Sequence, residues 1–102
     1  MTYWFHPGAL AEYREAALRY KRVKPELGRD FRNTVEKAIA AILEHPARFG
    51  PVERGVRRCL LTRFPYKIYF LHEEALKQVV IYAVMHVSRE PDYWKSRLAT
   101  EP

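Results

Sequence analysis

The residue best suited to acid–base chemistry is His86, which ends the last apolar stretch of the chain. Histidine exchanges a proton near neutral pH, because its unperturbed pKa is about 6.5. Cleavage of RNA through its 2′-hydroxyl group needs such a base, an acid and cations beside the phosphate. Alternation along a strand predicts that His86 shares a face with Val80, Tyr82 and Val84. A structural interpretation stays open, in which the ring hydrogen-bonds the tail and holds it down.

Four cations precede this histidine, namely Arg57, Arg58, Arg63 and Lys67. Such groups can bind phosphates and stabilise the charge that develops on a scissile phosphate. They can equally bind the carboxylates of an acidic protein, or simply cover a solvated strand. Alternation places Arg57 and Arg58 on opposite faces of a strand, so these two cannot serve one site. We take Arg58, Arg63 and Lys67, together with His86, as catalytic candidates, and Arg57 as a binding candidate.

A second group of binding candidates lies in the tail, where Arg89, Tyr93 and Arg97 surround Trp94. Aromatic rings can stack on bases while arginine binds phosphate. For Trp94 we favour a structural role, because large aromatic side chains bury most of their area and would anchor the tail. Tyr66 follows Pro65 and therefore begins its strand in an extended conformation. Its phenol is a further binding candidate, and a purely packing role stays open.

Composition limits the kinds of partner. The chain has 102 residues, one domain's length, and 18 Lys and Arg against 12 Asp and Glu give a charge of +6. Such a surface favours RNA, DNA or an acidic protein. The single cysteine, Cys59, excludes an internal disulfide and has no metal-ligand spacing around it, which fits a reducing cytoplasm. The sequence shows no signal peptide and no membrane span. It also has no phosphate-binding glycine loop, and neither a metal nor a cofactor is expected.

The elements that position these residues follow from periodicity. Residues 2–5 form a short aromatic strand, and the next apolar positions recur at helical spacing until Pro25 disfavours helix at Lys24. A second amphipathic helix follows and ends at His45-Pro46. Residues 46–55 are rich in proline and glycine and are predicted to be a loop.

Three strands are predicted after that loop, at residues 56–62, 66–71 and 78–86, the last two as an antiparallel hairpin. A short helix should follow Pro91 and run to Leu98. The predicted fold is therefore α+β, a single domain over residues 1–102 in the order β-α-α-β-β-β with a short C-terminal helix, both long helices packing on one sheet face.

An ordered set of segments resembles the RelE/ParE superfamily of type II toxins, and its ParE-like branch in particular. The segments are LGRDF at 27–31, HPARF at 45–49, VRR at 56–58, RFPYKIYF at 63–70, IYAVMH at 81–86 and REPDYWKSR at 89–97. The resemblance implies a twisted antiparallel sheet that carries the helix pair, and a cognate antitoxin whose acidic or apolar segment wraps the toxin in a hetero-oligomer. It also implies that His86 stands where several RNA-cutting members place an acid–base residue. Lys67 stands where some of them carry an arginine, although lysine offers only a point charge.

Three functions follow from this resemblance. The chain inhibits growth by binding DNA gyrase or a related target, or it cuts ribosome-bound mRNA with His86 as acid or base, or it is an inactive relative that retains antitoxin binding alone. The segments FPY at 64–66 and REPDYW at 89–94 favour the first.

Overall fold

A computed structural model gives the fold, and it describes residues 1–90 and 92–99. The elements are β1 (Thr2–Phe5), α1 (Pro7–Val23), α2 (Pro25–Glu44), a 3-10 turn (Pro46–Arg48), β2 (Gly50–Glu53), β3 (Val56–Leu60), β4 (Tyr66–Glu73), a 3-10 turn (Glu74–Leu76), β5 (Gln78–His86) and a 3-10 tail (Tyr93–Ala99). The predicted α+β order is confirmed, and the predicted tail helix takes the tighter 3-10 form. Pro91, predicted to start that helix, lies outside the described residues.

The two long helices form a tight hairpin for local reasons. His6 caps α1, since its Nδ1 accepts the N–H of Gly8 at 3.0 Å, and Pro7 follows at the first helical position. Lys24 is extended, as the residue before Pro25 prefers to be, and it separates the helices. A Cβ atom on Gly28 would lie 2.8 Å from Cβ of Lys21, so glycine permits the close approach of α2 to α1.

The five strands are ordered β1-β5-β4-β3-β2. Strands joined by short turns are antiparallel, as predicted, but β1 pairs with β5 in parallel, with Phe5 opposite Ile81. The sheet is therefore mixed rather than wholly antiparallel. The physical reason is connectivity, because β1 enters the sheet through the helix pair and no hairpin sets its direction.

The predicted loop at 46–55 contains a short edge strand, β2. Its turn onto β3 consists of Arg54 and Gly55, which both have positive φ angles of 54° and 80°. That geometry suits a two-residue hairpin turn, and it places Glu53 opposite Val56. Pro51 is tolerated because β2 is the outermost strand.

A bulge in β5 determines which residues share a face. Ala83 pairs with Tyr69 and Ile81 pairs with Phe70, so Tyr82 is an extra residue and the alternation shifts by one after it. The prediction that His86 shares a face with Val80 is consequently wrong. His86 lies on the face that packs against α1 and α2, which we call the helix face; its core on the sheet comprises Tyr66, Ile68, Phe70, Val79, Ile81 and Val84.

The opposite face, which we call the tail face, is covered in part by the 3-10 tail. Trp94 is 0% exposed there, with its ring 5.3 Å from that of Tyr69. The buried core of the tail face also contains Val56, Ala83 and Met85. The structural role favoured for Trp94 agrees with this placement. Among the described residues, no helix has the length and apolar character needed to cross a membrane.

Candidate functional site

His86 lies at the rim of an open cleft between α1 and the end of β5. The cleft has a volume of about 250 Å³ and is lined by Glu12, Glu15, Arg19, Tyr66, Val84, His86 and Arg89. The His86 ring meets the Tyr66 ring edge to face, with 5.3 Å between centroids. Nδ1 of His86 accepts the N–H of Ser88 at 3.0 Å, so this nitrogen is engaged with the turn after β5. Proton exchange with a bound molecule would therefore use Nε2.

Tyr66 forms the floor of this cleft. Its side chain is buried, and its hydroxyl oxygen accepts a 2.7 Å hydrogen bond from Nη2 of Arg19. Arg19 also lies 3.7 Å from Glu15, one helical turn before it. The cleft therefore holds an arginine, a phenol and a histidine in one row, and Arg19 is a cleft residue that the sequence reasoning did not select.

Arg97, predicted to bind a target or antitoxin, instead fastens the tail to α1. Its guanidinium makes a two-pronged contact with the Glu12 carboxylate, at 3.1 Å to Oε1 and 2.9 Å to Oε2. It also donates to the carbonyl of Tyr82 at 2.8 Å. The Arg97 and Glu12 side chains are only 16% and 15% exposed. We call this pair the tail latch.

Glu12 also serves the bulge in β5. Its Oε1 accepts the N–H of Val84 at 3.0 Å, beyond the point where β1 stops pairing with β5. The tail latch thus provides hydrogen-bond partners for the Val84 N–H and the Tyr82 carbonyl on either side of the bulge. Buried backbone groups in native proteins normally have such partners. No local pattern indicates this role, because Glu12 is 85 residues from Arg97.

Tyr93 and Arg89 complete the tail attachment. The Tyr93 ring lies beneath two guanidinium groups. The guanidinium carbon Cζ lies 3.9 Å from the ring centroid in Arg89 and 4.9 Å from it in Arg97. Such contacts attract a cation to the ring face. Burial, followed by the nearby Glu12 carboxylate, raises the pKa of the Tyr93 hydroxyl well above its ordinary value, so this phenol stays protonated. Arg89 alone among these tail residues also lines the cleft.

Two of the strand and turn cations have structural partners. Arg57 lies on the helix face and donates to the carbonyl of Phe49 at 2.7 Å, which fixes the corner before β2. Arg63 has a positive φ of 72° and lies 3.1 Å from Asp30 of α2. Its guanidinium is also 5.3 Å from the Phe64 ring centroid. Both side chains therefore position backbone corners.

Arg58 and Lys67 lie on the tail face, away from His86. Arg58 pairs with Tyr69 and Lys67 pairs with Met85, whereas His86 pairs with Tyr66. Directly paired residues share a face, so Arg58 and Lys67 are separated by the sheet from the cleft. The fold does not bring the four catalytic candidates together, and Arg89 and Tyr66 are the predicted binding residues that join His86.

Other reactive groups give no second centre. Burial raises the pKa of the Cys59 thiol, which keeps it protonated and poorly nucleophilic. Among residues 1–90 and 92–99, no three His, Cys, Asp or Glu side chains are grouped so as to hold a metal ion.

A pH effect on stability is expected from His6. Burial, followed by the Arg97 charge, lowers its pKa below the ordinary 6.5, although Glu12 opposes the shift. As the pH falls below about 6.5, the unfolded chain binds a proton that the folded chain resists, so the free energy of unfolding falls. Urea titrations from about pH 7.5 to 5.5 measure this slope. His6→Asn keeps an oxygen to cap Gly8 and should flatten it; an unchanged slope would assign the effect to another group.

Comparison with known proteins agrees with the fold and the residue pattern. No curated protein matches the chain. Residues 3–91 match the family described as ParE toxin of type II toxin-antitoxin system, parDE. That span contains both helices, the five strands except Thr2 of β1, and every residue of the cleft. The chain therefore belongs to the ParE toxin family and is the toxin of a type II toxin–antitoxin pair.

Proposed function

We propose that this toxin inhibits growth by binding DNA gyrase or a related target in the cytoplasm, without catalysis of its own, and that an acidic cognate antitoxin neutralises it in a hetero-oligomer. The observation that carries the proposal is that the sheet separates His86 from Arg58 and Lys67, while Arg63 is paired with Asp30 of α2. RNA cleavage needs proton transfer and phosphate stabilisation at one reacting centre, with groups within hydrogen-bond reach. Arg58 and Lys67, on the other side of the sheet, cannot stabilise a phosphate beside His86.

A binding toxin needs a firm scaffold and a charged surface instead. Arg57, Arg63 and Arg97 each contact an oxygen of this chain, which competes with phosphate for the same guanidinium groups. The remaining positive charge suits long-range attraction to an acidic surface, which speeds association. An acidic antitoxin can use the same attraction.

The cleft gives a specific reason to retain the nuclease as a second candidate. His86, Arg19, Arg89 and Tyr66 line it together, so a histidine and two cations do face one space. In that case the phosphate-binding residues would be Arg19 and Arg89, not the strand cations. Glu15 beside Arg19 and Glu12 near Arg89 offset part of their charge, which weakens the attraction for phosphate.

A direct experiment separates these functions. The purified toxin is incubated with gyrase and plasmid DNA, and separately with translating ribosomes, and His86→Gln is compared with the unchanged chain. We expect gyrase inhibition or gyrase-linked DNA breaks, intact mRNA, and growth arrest that His86→Gln retains. Loss of a true acid–base residue would instead lower mRNA cutting by about 10²–10⁴-fold.

The outcomes exclude one another. Codon-positioned mRNA cuts that require His86 would overturn the binding proposal and support the nuclease. Folded toxin that neither arrests growth nor acts in either assay would leave antitoxin binding as its sole function. Arg58→Ala with Lys67→Ala is the matched control, because it removes cations from the tail face without touching the cleft.

A further inference from the structure

The outer edge of the sheet is incomplete beside β3. Strand β2 begins at Gly50, which pairs with Arg58, while β3 continues to Leu60. Before Gly50 the chain turns beneath the sheet, where the Phe49 ring packs against Phe70 and the Phe49 carbonyl accepts from Arg57. The last part of β3 consequently has a neighbour on one side only.

The backbone of Leu60 points toward this open side. Leu61 donates its N–H to the carbonyl of Tyr66 at 2.9 Å, so its backbone groups face β4. Successive residues of a strand direct these groups to alternate sides, which turns the N–H and C=O of Leu60 outward. The Leu60 carbonyl accepts a long contact from the Cys59 thiol, at 3.7 Å. The Leu60 residue is 62% exposed, an unusual position for a large apolar group on a strand edge.

The two sides of this edge differ in chemistry. Toward the helices lies a groove between α2 and β3, whose lining residues are Thr34, Lys37, Ala38, Cys59, Leu60, Leu61 and Thr62. Its walls are mainly apolar and contain one cation and no acid. Toward the tail face, Leu60 lies between Arg58 on its own strand and Lys67 opposite it.

We propose that an extended segment of the antitoxin adds to this open edge as a short strand that continues the line of β2 antiparallel to β3. Its side chains would alternate, with apolar groups entering the α2–β3 groove and acidic groups lying beside Arg58 and Lys67. The proposal rests on the proposed neutralisation by an acidic antitoxin, and it names the place and the sequence pattern that the antitoxin uses.

Charge and backbone chemistry select this occupant. Strand addition uses main-chain N–H and C=O groups for affinity and alternate side-chain sites for specificity. A second copy of this chain would bring its own Arg58 and Lys67 to the same edge, and like charges oppose that pairing. RNA would find cations on the tail-face side, but it has no extended peptide backbone to pair with Leu60.

Leu60→Pro is the sharpest variant. Proline removes the outward N–H that an added strand would use, it exchanges the leucine side chain for a ring, and edge positions tolerate it. We expect the purified variant to arrest growth as the unchanged toxin does, while its dissociation constant for the cognate antitoxin rises about tenfold or more. Leu60→Asp, which opposes acidic side chains, should weaken the complex similarly. Leu76→Asp, a change at an equally exposed leucine outside the edge, is the matched control and should have no effect on binding.

Amide hydrogen exchange gives an independent measure on the unchanged chain. The Leu60 amide should exchange quickly in free toxin and become protected when antitoxin is added. Unchanged exchange, or full neutralisation of Leu60→Pro, would overturn the inference while leaving growth arrest intact. Protection that rises with toxin concentration alone would assign the edge to a second copy, and protection by RNA would assign it to nucleic acid; either result overturns it. Absence of growth arrest in the unchanged toxin would instead count against the proposed function.

Discussion

Replacing Trp94 by alanine is expected to lower the free energy of unfolding by about 3–5 kcal/mol. Trp94 is 0% exposed, and it is the largest fully buried side chain described. It fills the space between the tail and the sheet against Tyr69 and Met85. Its removal loses the apolar burial and leaves a cavity that the short 3-10 tail cannot close. Chemical denaturation followed by far-ultraviolet circular dichroism measures the change.

Trp94→Phe is the matched variant, because it keeps an aromatic ring against Tyr69 and should retain part of the lost stability. Leu76→Ala, at an exposed turn, should change the free energy of unfolding by less than about 0.5 kcal/mol. A Trp94→Ala effect as small as that of Leu76→Ala would show that the tail does not depend on this anchor.

Replacing Arg97 by alanine is expected to cost about 3 kcal/mol of stability, the lower end for one partner removed from a buried ion pair. Glu12 would keep the Val84 N–H but lose its counter-charge, and the Tyr82 carbonyl would lose its donor. Since the latch also holds the tail, faster amide exchange should appear in the backbone from Tyr93 onward. Arg97→Lys should recover only part of the loss, because an ammonium cannot bind both carboxylate oxygens in the same plane.

Gly8 provides a test of the latch from the opposite side. A Cβ atom at Gly8 would lie 2.7 Å from Cζ of Arg97, so Gly8→Ala must displace the guanidinium group. The destabilisation caused by Gly8→Ala should largely disappear once Arg97 is already alanine. Additive effects of the two substitutions would contradict the contact, since residues that share an interaction couple in a double-mutant cycle.

The fold was predictable where it depends on local patterns. The helix pair is bounded by Pro7, Pro25 and Pro46, and the spacing of apolar residues predicts which face of each helix is buried. β4 and β5 are joined by a short turn, so their antiparallel pairing follows. The strand β1 was predicted but its parallel pairing was missed, because that pairing depends on a distant connection. The short β2 was missed, because it depends on a turn in which Arg54 adopts positive φ.

Several residues of the site could be selected from the sequence, but their arrangement in space could not. His86, Tyr66 and Arg89 were selected from chemistry and resemblance, and they do line one cleft. Arg97 was selected as a free cation, yet its carboxylate partner comes from α1 at the other end of the chain. Pairing of this kind depends on how the tail crosses the sheet, and no local spacing in the sequence contains that information.

The single extra residue at Tyr82 divides β5 into two half-strands that are out of phase with each other. Before it, odd-numbered residues such as Ile81 face the helices; after it, even-numbered residues such as Val84 do so. Deleting Tyr82 would make the alternation regular and leave His86 opposite Tyr66 on the helix face, whereas pairing all nine residues of β5 without a bulge would carry His86 to the side of Lys67. A relative with a β5 of the same length and no bulge would thus place its terminal histidine on the side of Arg58 and Lys67. Relatives in this family are therefore best matched by strand partner rather than by counting along the chain, since a bulge decides on which side of the sheet a given position stands.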